Sequence, residues 1–124
     1  MTSRHIITSA LALLLLTACG ESHKAKSLVE DFLNDNLADN AMGNVTFTRL
    51  DSTRYVRGQA VEAMRDATER SHTMKPGTRY ADIPSGSSKL LYIGVSFSDS
   101  HGRQVKRTVY LTPDLSGVVA IKEN

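Results

Sequence analysis

Apolar and polar residues alternate along the last third of this 124-residue chain, and this pattern restricts its fold more than any other feature. Apolar side chains occupy every second position from 91 to 97, and the turn-forming stretch 98–102 separates them from a second run that begins at Gln104. Another turn at 113–117 leads to a last apolar run at 118–122. A period of two predicts β-strands, and the short turns predict antiparallel pairing. We therefore expect a three-stranded meander at the C-terminal end.

The preceding residues predict two helices and one more strand. Residues 24–39 place apolar side chains three and four positions apart, as in an amphipathic helix, and 58–70 repeat this spacing with a narrower apolar face. Alternation at 45–50 predicts a strand, whereas the Pro, Gly and Ser residues of 71–88 predict a long loop. The expected fold class is α+β, in the order α-β-α-β-β-β. The N-terminal amphipathic helix should pack on one face of a mainly antiparallel sheet and leave the other face solvated. Its apolar stripe consists of Ala25, Leu28, Val29, Phe32, Leu33 and Leu37.

The N-terminal segment has the three parts of a bacterial signal peptide. A short polar start precedes an apolar run at 6–16, and small residues precede Cys19, the one cysteine of the chain. The run is too short to span a bilayer, which takes ~20 apolar residues, and polar residues follow it directly. We expect removal of residues 1–18, a lipidated N-terminus with a short tether at 19–23, and a single domain at 24–124.

The residues Leu16-Thr17-Ala18-Cys19 match the lipobox, the pattern at which bacteria acylate a lipoprotein and cleave its signal peptide. This resemblance implies that Cys19 carries a diacylglycerol thioether and an acylated amino group. The lipid bilayer is then a partner of the mature chain through acylated Cys19. Several acyl chains hold a protein firmly, because each buried methylene contributes ~0.8 kcal/mol. The alternative is an unmodified, buried cysteine behind an ordinary cleavage site, and the four-residue match disfavours it.

The order of segments also resembles that of small lipoproteins of Bacteroidota. The resemblance rests on the lipobox, the Lys-rich start of the first helix, Leu50-Asp51-Ser52-Thr53, Gly94-Val95-Ser96-Phe97 and Tyr110-Leu111-Thr112-Pro113-Asp114-Leu115. Members of that group have a longer helical insert where this chain has 58–70. The resemblance implies an architecture and a location in the cell envelope, and it assigns no activity or catalytic residue.

The residues after Cys19 bear on the location. Gly20, rather than an aspartate, follows the cysteine. By analogy with other lipoproteins this implies the outer membrane. Surface-exposed lipoproteins of Bacteroidota carry a cluster of acidic residues at this point, whereas Glu21 stands alone. We therefore expect the domain in the periplasm, with surface exposure as the alternative.

Composition argues against several classes of function. The formal charge of +2 comes from scattered residues without a basic stripe, so no nucleic acid partner is expected. No phosphate-binding glycine loop is present, and the histidines lack metal-ligand spacing, so neither a cofactor nor a metal is expected. His101 with Ser98, Asp99 and Ser100 contains the groups of a hydrolytic triad. One tight turn cannot bring them to a single reacting atom, so we expect a polar hairpin tip and no enzyme.

Three residues of the predicted sheet form a candidate partner surface. Tyr92 and Tyr110 lie on neighbouring predicted strands, and Lys106 points to the same face. The tyrosines form either an aromatic platform for a ligand or a simple cross-strand pair, and we favour the pair. Arg103, Lys106 and Arg107 form a local basic cluster suited to anionic headgroups or glycans. Alternation puts Lys106 and Arg107 on opposite faces, however, which favours an ordinary solvated strand.

Two functions are compatible with these features. We favour a membrane-anchored, noncatalytic binding or structural module that meets another envelope protein through its sheet face or through an open edge at the last strand. The alternative is a small-ligand binder or enzyme that uses a cavity between the first helix and the sheet, with the 71–88 loop as its lid. A polar cavity in that interface favours the second function, and a solid apolar interface argues against it.

Overall fold

The chain folds as two helices and a five-stranded antiparallel sheet, which confirms the α+β class and the C-terminal meander. The computed structural model describes residues 20–83 and 89–124, so Cys19 and the predicted signal peptide lie outside the described residues. None of the helices described there is both long enough and apolar enough to span a membrane. The elements are helix α1, whose described part covers 20–36, strands β1 (Gly43–Phe47) and β2 (Asp51–Thr53), helix α2 (Gly58–Ser71), and strands β3 (Leu90–Ser98), β4 (Gln104–Leu111) and β5 (Val118–Glu123).

Helix α1 packs on the sheet through a single apolar stripe, as predicted. It ends at residue 36 instead of 39, because Leu37 forms a β-bridge with Met74 and the chain leaves the helix to make it. Residues 20–23, predicted as the tether, are helical. The stretch after Gly20 contains no further Gly or Pro until the helix ends, so nothing in it disfavours a helix. The most deeply buried residues of the stripe are four positions apart: Ala25, Val29 and Leu33.

The strand predicted at 45–50 is β1, which begins earlier and ends at Phe47, and the short strand β2 follows it on the same edge of the sheet. The strands are ordered β1-β3-β4-β5, and β2 pairs with β3 further along the same side. Between β1 and β2, the Thr48 amide donates to the Gly94 carbonyl (2.9 Å), and the Gly94 amide donates to Thr48 Oγ1 (2.7 Å). The ladder is interrupted because a side-chain oxygen replaces a backbone acceptor. Gly94 allows this approach, since a Cβ atom there would lie 2.8 Å from the Thr48 side chain.

The two faces of the sheet carry different helices. The face under α1 is apolar along β3, β4 and β5 and forms the main core. Helix α2 packs against β5 and covers part of the opposite face, where Val61 lies in one buried cluster with Tyr110 and Val119. The face predicted to be solvated is therefore covered in part. Lys106 and Lys122 lie on its uncovered part and are exposed.

The outer edge of β5 is covered over its first residues. The Ala81 amide donates to the Val118 carbonyl (2.8 Å), and Arg65 Nε donates to the Val119 carbonyl (2.9 Å). These groups occupy backbone acceptors that an incoming strand would need. The prediction of an open edge at the last strand is thus wrong here, because the chain between α2 and β3 runs along it.

Candidate functional site

The two tyrosines of the predicted partner surface form a cross-strand pair. Tyr92 on β3 and Tyr110 on β4 are register partners, and their ring centroids lie 6.0 Å apart with a 41° angle between the planes. Tyr110 is only 9 % exposed because α2 packs over it, whereas Tyr92 is half-buried. Burial raises the pKa of the Tyr110 hydroxyl, and the neighbouring Tyr92 adds to this effect. The pair therefore offers a partner little aromatic surface beyond Tyr92.

Lys106 lies apart from the tyrosines. It is exposed on β4 and pairs with Ser96, whereas Tyr110 is four residues further along the strand. Four residues of a strand span about 13 Å. The structure thus brings Tyr92 and Tyr110 together but does not bring Lys106 to them. The three residues stay a predicted surface, with Lys106 as its most accessible member.

Polar groups converge instead at the turn between β3 and β4. The Asp99 Oδ1 atom accepts hydrogen bonds from the amides of His101 (2.9 Å) and Arg103 (2.8 Å), which closes the turn. Asp39 approaches from beyond the end of α1. Its Oδ2 atom accepts from the Ser100 amide (3.1 Å) and the Ser100 hydroxyl (2.7 Å). The turn is therefore fastened to the end of α1 by one carboxylate.

Asp39 is the member of this cluster that the sequence analysis did not include. It lies 61 residues before Ser100, and the residues around it are those of an ordinary helix end. Side chains of Asp commonly bond nearby backbone amides, and Asp39 also does this with the Ala41 amide (3.2 Å). Nothing in the residues around Asp39 indicates that it also bonds with Ser100 in a distant hairpin.

The cluster is not arranged as a hydrolytic triad. In a triad the imidazole lies between the hydroxyl and the carboxylate, and it takes the hydroxyl proton. Here Ser100 lies between the other two groups: its Oγ atom is 2.7 Å from Asp39 Oδ2 and 3.3 Å from His101 Nδ1. The single hydroxyl proton goes to the carboxylate, which is the closer and negatively charged acceptor. The arrangement therefore orients the turn and does not activate a nucleophile.

The same groups come close enough to surround a small cation. One ligand atom from each of Asp39, Asp99 and His101 lies within 4.8 Å of the others. Both carboxylates, however, already accept the backbone and hydroxyl hydrogen bonds that hold the turn. These bonds account for the convergence of the groups without a metal.

Hydrogen bonding lowers the pKa of Asp39 below its usual value of 3.8. The Ser100 hydroxyl is the largest cause, followed by the amides of Ser100 and Ala41. A carboxyl whose pKa is lower in the folded state stabilises the fold above its unfolded pKa, and this stabilisation is lost as the pH falls through the folded pKa. The fastening of the turn to α1 should therefore weaken only below about pH 3.8.

We expect Ser100→Ala to raise the pKa of Asp39 toward 3.8, because the substitution removes the largest cause of its depression. Carboxyl carbon chemical shifts in an NMR titration measure this directly. Asp114 is the internal control, because its pKa is also lowered, chiefly by the Ser116 hydroxyl in a different turn. Its midpoint should stay low in the variant. An unchanged Asp39 midpoint would show that the Ser100 hydroxyl does not hold this carboxylate.

A cleft of about 470 Å³ lies between the second half of α2 and the loop that follows it. Arg65, Thr68 and Tyr80 are among its lining residues. Their polar atoms bond to the protein itself: Thr68 Oγ1 lies 3.2 Å from the Tyr80 hydroxyl, and Arg65 Nη2 donates to the Ala81 carbonyl (2.9 Å). The guanidinium also stacks over the Tyr80 ring, 5.3 Å from its centroid. These contacts fix the loop against α2.

Comparison with known proteins gives no relative from which residue roles could be transferred. No family model, curated protein or solved structure matches the chain.

Proposed function

We propose that this chain is a lipid-anchored protein of the bacterial envelope whose domain acts as a noncatalytic binding or structural module. The observation that carries the proposal is the lipobox ending in Cys19, the single cysteine of the chain. A lone thiol cannot form a disulfide within the chain, so it contributes no covalent link to the fold. The four residues that end in Cys19 match the pattern at which bacteria acylate a lipoprotein.

The path of the chain after Cys19 supports close attachment to the bilayer. Helix α1 is continuous from residue 20 and is buried in the core from Ala25 onward. At a rise of about 1.5 Å per residue, five residues of helix span about 8 Å. A helix of this kind holds the domain near its anchor, whereas a flexible tether would let it move away. The mature domain would therefore sit against the lipid surface.

The interface between α1 and the sheet does not favour the alternative of a ligand-binding or catalytic cavity there. Its central residues are apolar and at most 1 % exposed: Val29, Leu33, Ile93, Val109 and Ile121. A catalytic pocket needs convergent polar groups, and these side chains supply none. The cleft beside α2 lies outside this interface.

We place the domain on the periplasmic side of the outer membrane. Gly20 after the cysteine and the isolated Glu21 support this location by analogy with other lipoproteins. Mild protease treatment of intact cells distinguishes the two sides, because only a surface-exposed domain is digested. Crosslinking in intact cells from Lys106, with exposed Lys26 on α1 as the matched position, would identify an envelope partner of the uncovered sheet face.

We expect Cys19→Ala to abolish incorporation of a palmitate analogue and to prevent retention of the chain in the membrane fraction. The reason is that the thioether can form only on this sulfur. Metabolic labelling followed by detergent phase partitioning measures both effects. Ser22→Ala, three positions further on, should be labelled and retained like the unchanged chain. Full labelling of the Cys19→Ala chain would refute the anchor.

A further inference from the structure

We propose that residues 54–57, between β2 and α2, form a second contact with the lipid headgroups of the membrane to which Cys19 is attached. The inference rests on the proposed lipid anchor and adds a protein surface to it. The segment reads Arg54-Tyr55-Val56-Arg57. It presents an aromatic ring between two guanidinium groups.

The exposure of this segment is unusual within the described residues. Tyr55 is 95 % exposed and is the one large hydrophobic side chain there that projects into solvent. Arg54 and Arg57 are also exposed, and neither forms an ion pair in the part of the chain that the structure describes. Exposed Tyr and Arg side chains together suit the surface of a bilayer, where anionic headgroups cover an apolar interior.

The backbone of the segment is held at both ends. The Tyr55 amide donates to Thr53 Oγ1 (3.2 Å), and the Arg57 carbonyl accepts from the Val61 amide (3.0 Å) in the first turn of α2. Val56 is half-buried and packs against the cluster under α2. Tyr55 is thus presented outward by a fixed loop.

The segment lies at a definite end of the sheet. Thr53, the last residue of β2, pairs with Leu90, the first residue of β3. Because β3 and β5 are both antiparallel to β4, β5 also begins at this end. The loop at 54–57 therefore lies at the same end of the sheet as the start of β5 and away from the turn between β3 and β4.

The start of α1 faces the same end. The chain after α2 runs beside both α1 and β5, and its contacts give the direction. Its Met74 forms the β-bridge with Leu37, just after the end of α1. Its Tyr80 comes later in the chain and contacts Phe32, which lies earlier on α1, with the two ring centroids 5.6 Å apart. This path leads toward the start of the helix.

On β5 the same chain passes from the end of the strand to its start. Thr73 donates its hydroxyl to Glu123 (2.9 Å), and the Ala81 amide donates to the Val118 carbonyl (2.8 Å). Going toward the start of α1 therefore means going toward the start of β5. Gly20, the first described residue of α1, and Tyr55 therefore lie at one end of the domain.

This placement selects the bilayer as the occupant. An acylated Cys19 holds that end of the domain against the lipid, so an envelope protein could reach Tyr55 only by entering between the domain and the membrane. Tyrosine rings favour the headgroup level of a bilayer, where the ring is apolar and the hydroxyl is wet. Guanidinium groups bind phosphate oxygens through two parallel hydrogen bonds, and cationic residues near the surface are attracted to anionic lipids.

Tryptophan fluorescence tests this surface, because the chain contains no tryptophan. The acylated chain is purified from cells and reconstituted in phosphatidylglycerol-containing vesicles, with Tyr55→Trp as the reporter. Gln104→Trp, exposed at the opposite end of the sheet, is the matched control. We expect the emission of the first variant to shift to shorter wavelength, with several-fold weaker quenching by aqueous iodide and strong quenching by nitroxide-labelled lipid. The control should remain open to iodide.

The contribution of the two arginines to membrane contact is tested in the Tyr55→Trp chain. Arg54→Gln with Arg57→Gln should restore much of the iodide quenching on anionic vesicles, whereas Arg70→Gln with Lys122→Gln, which are exposed at the far end, should not. Flotation of the vesicles distinguishes failure of the proposed anchor from failure of the proposed surface at 54–57. A chain that does not float with them contradicts the anchor and this surface together. A chain that floats but leaves the tryptophan at 55 as open to iodide as that at 104 contradicts this surface alone.

Discussion

Leu33→Ala is expected to lower the free energy of unfolding by about 3 kcal/mol, within the range measured for buried leucines in other proteins. Leu33 is 1 % exposed and lies in the main core with residues of β3, β4 and β5. Truncation removes its buried methyl groups and leaves a cavity that the sheet below cannot fill by moving, since its strands are hydrogen-bonded to one another. Urea denaturation followed by circular dichroism measures the loss as a shift of the midpoint.

Asn34→Ala is the matched control on the same turn of α1. Asn34 is exposed, and alanine is the better helix former, so the free energy of unfolding should change by less than about 0.5 kcal/mol. If both variants lose the same stability, α1 does not pack on the sheet as described. Helix α1 also joins the core to the proposed anchor, so this pair of variants tests the element on which the membrane-facing orientation depends.

The parts of the fold that the sequence predicted are those with local periodicity. The alternation through β3, β4 and β5 gave the meander, and the four-residue spacing of α1 gave its buried face. The parts it missed depend on distant partners. Helix α1 ends early because Leu37 pairs with Met74, and the first strand ends at Phe47 because Thr48 bonds with Gly94 through its side chain. Neither contact leaves a trace in the residues nearby.

The same distinction applies to the candidate sites. The pairing of Tyr92 with Tyr110 follows from strand register, which short turns fix. The burial of Tyr110 depends on where α2 packs, and a narrow apolar face does not specify that position. Tyr55 does not belong to a helical or strand pattern of apolar residues. Only the path of the chain from β2 to α2 therefore reveals that its side chain projects outward. The sequence thus predicted pairs within the sheet better than contacts between its layers.

Arg65→Met is expected to lower the free energy of unfolding by about 2 kcal/mol, since hydrogen bonds that involve a charged group contribute about 1.5–3 kcal/mol each and Arg65 is partly exposed to water. Its Nε atom donates to the Val119 carbonyl on the edge of β5, and its Nη2 atom donates to the Ala81 carbonyl, both at 2.9 Å. Methionine keeps much of the contact with Tyr80 but donates to neither carbonyl. Arg65→Lys should recover only part of the loss, because one ammonium lacks the planar fork that reaches both acceptors.

Hydrogen exchange distinguishes this edge role from a general loss of packing. The Ala81 amide, bonded to the Val118 carbonyl beside the Arg65 contact, should exchange faster in Arg65→Met, whereas amides in the middle of β3 should change only by the global loss of stability. Arg70→Met, exposed in the last turn of α2, is the control and should leave the Ala81 amide protected. Equal protection of that amide in both variants would mean that Arg65 does not close the edge. Faster exchange in Arg65→Met alone would show that one side chain of α2 holds the loop on β5, in place of the partner strand that an uncovered edge accepts.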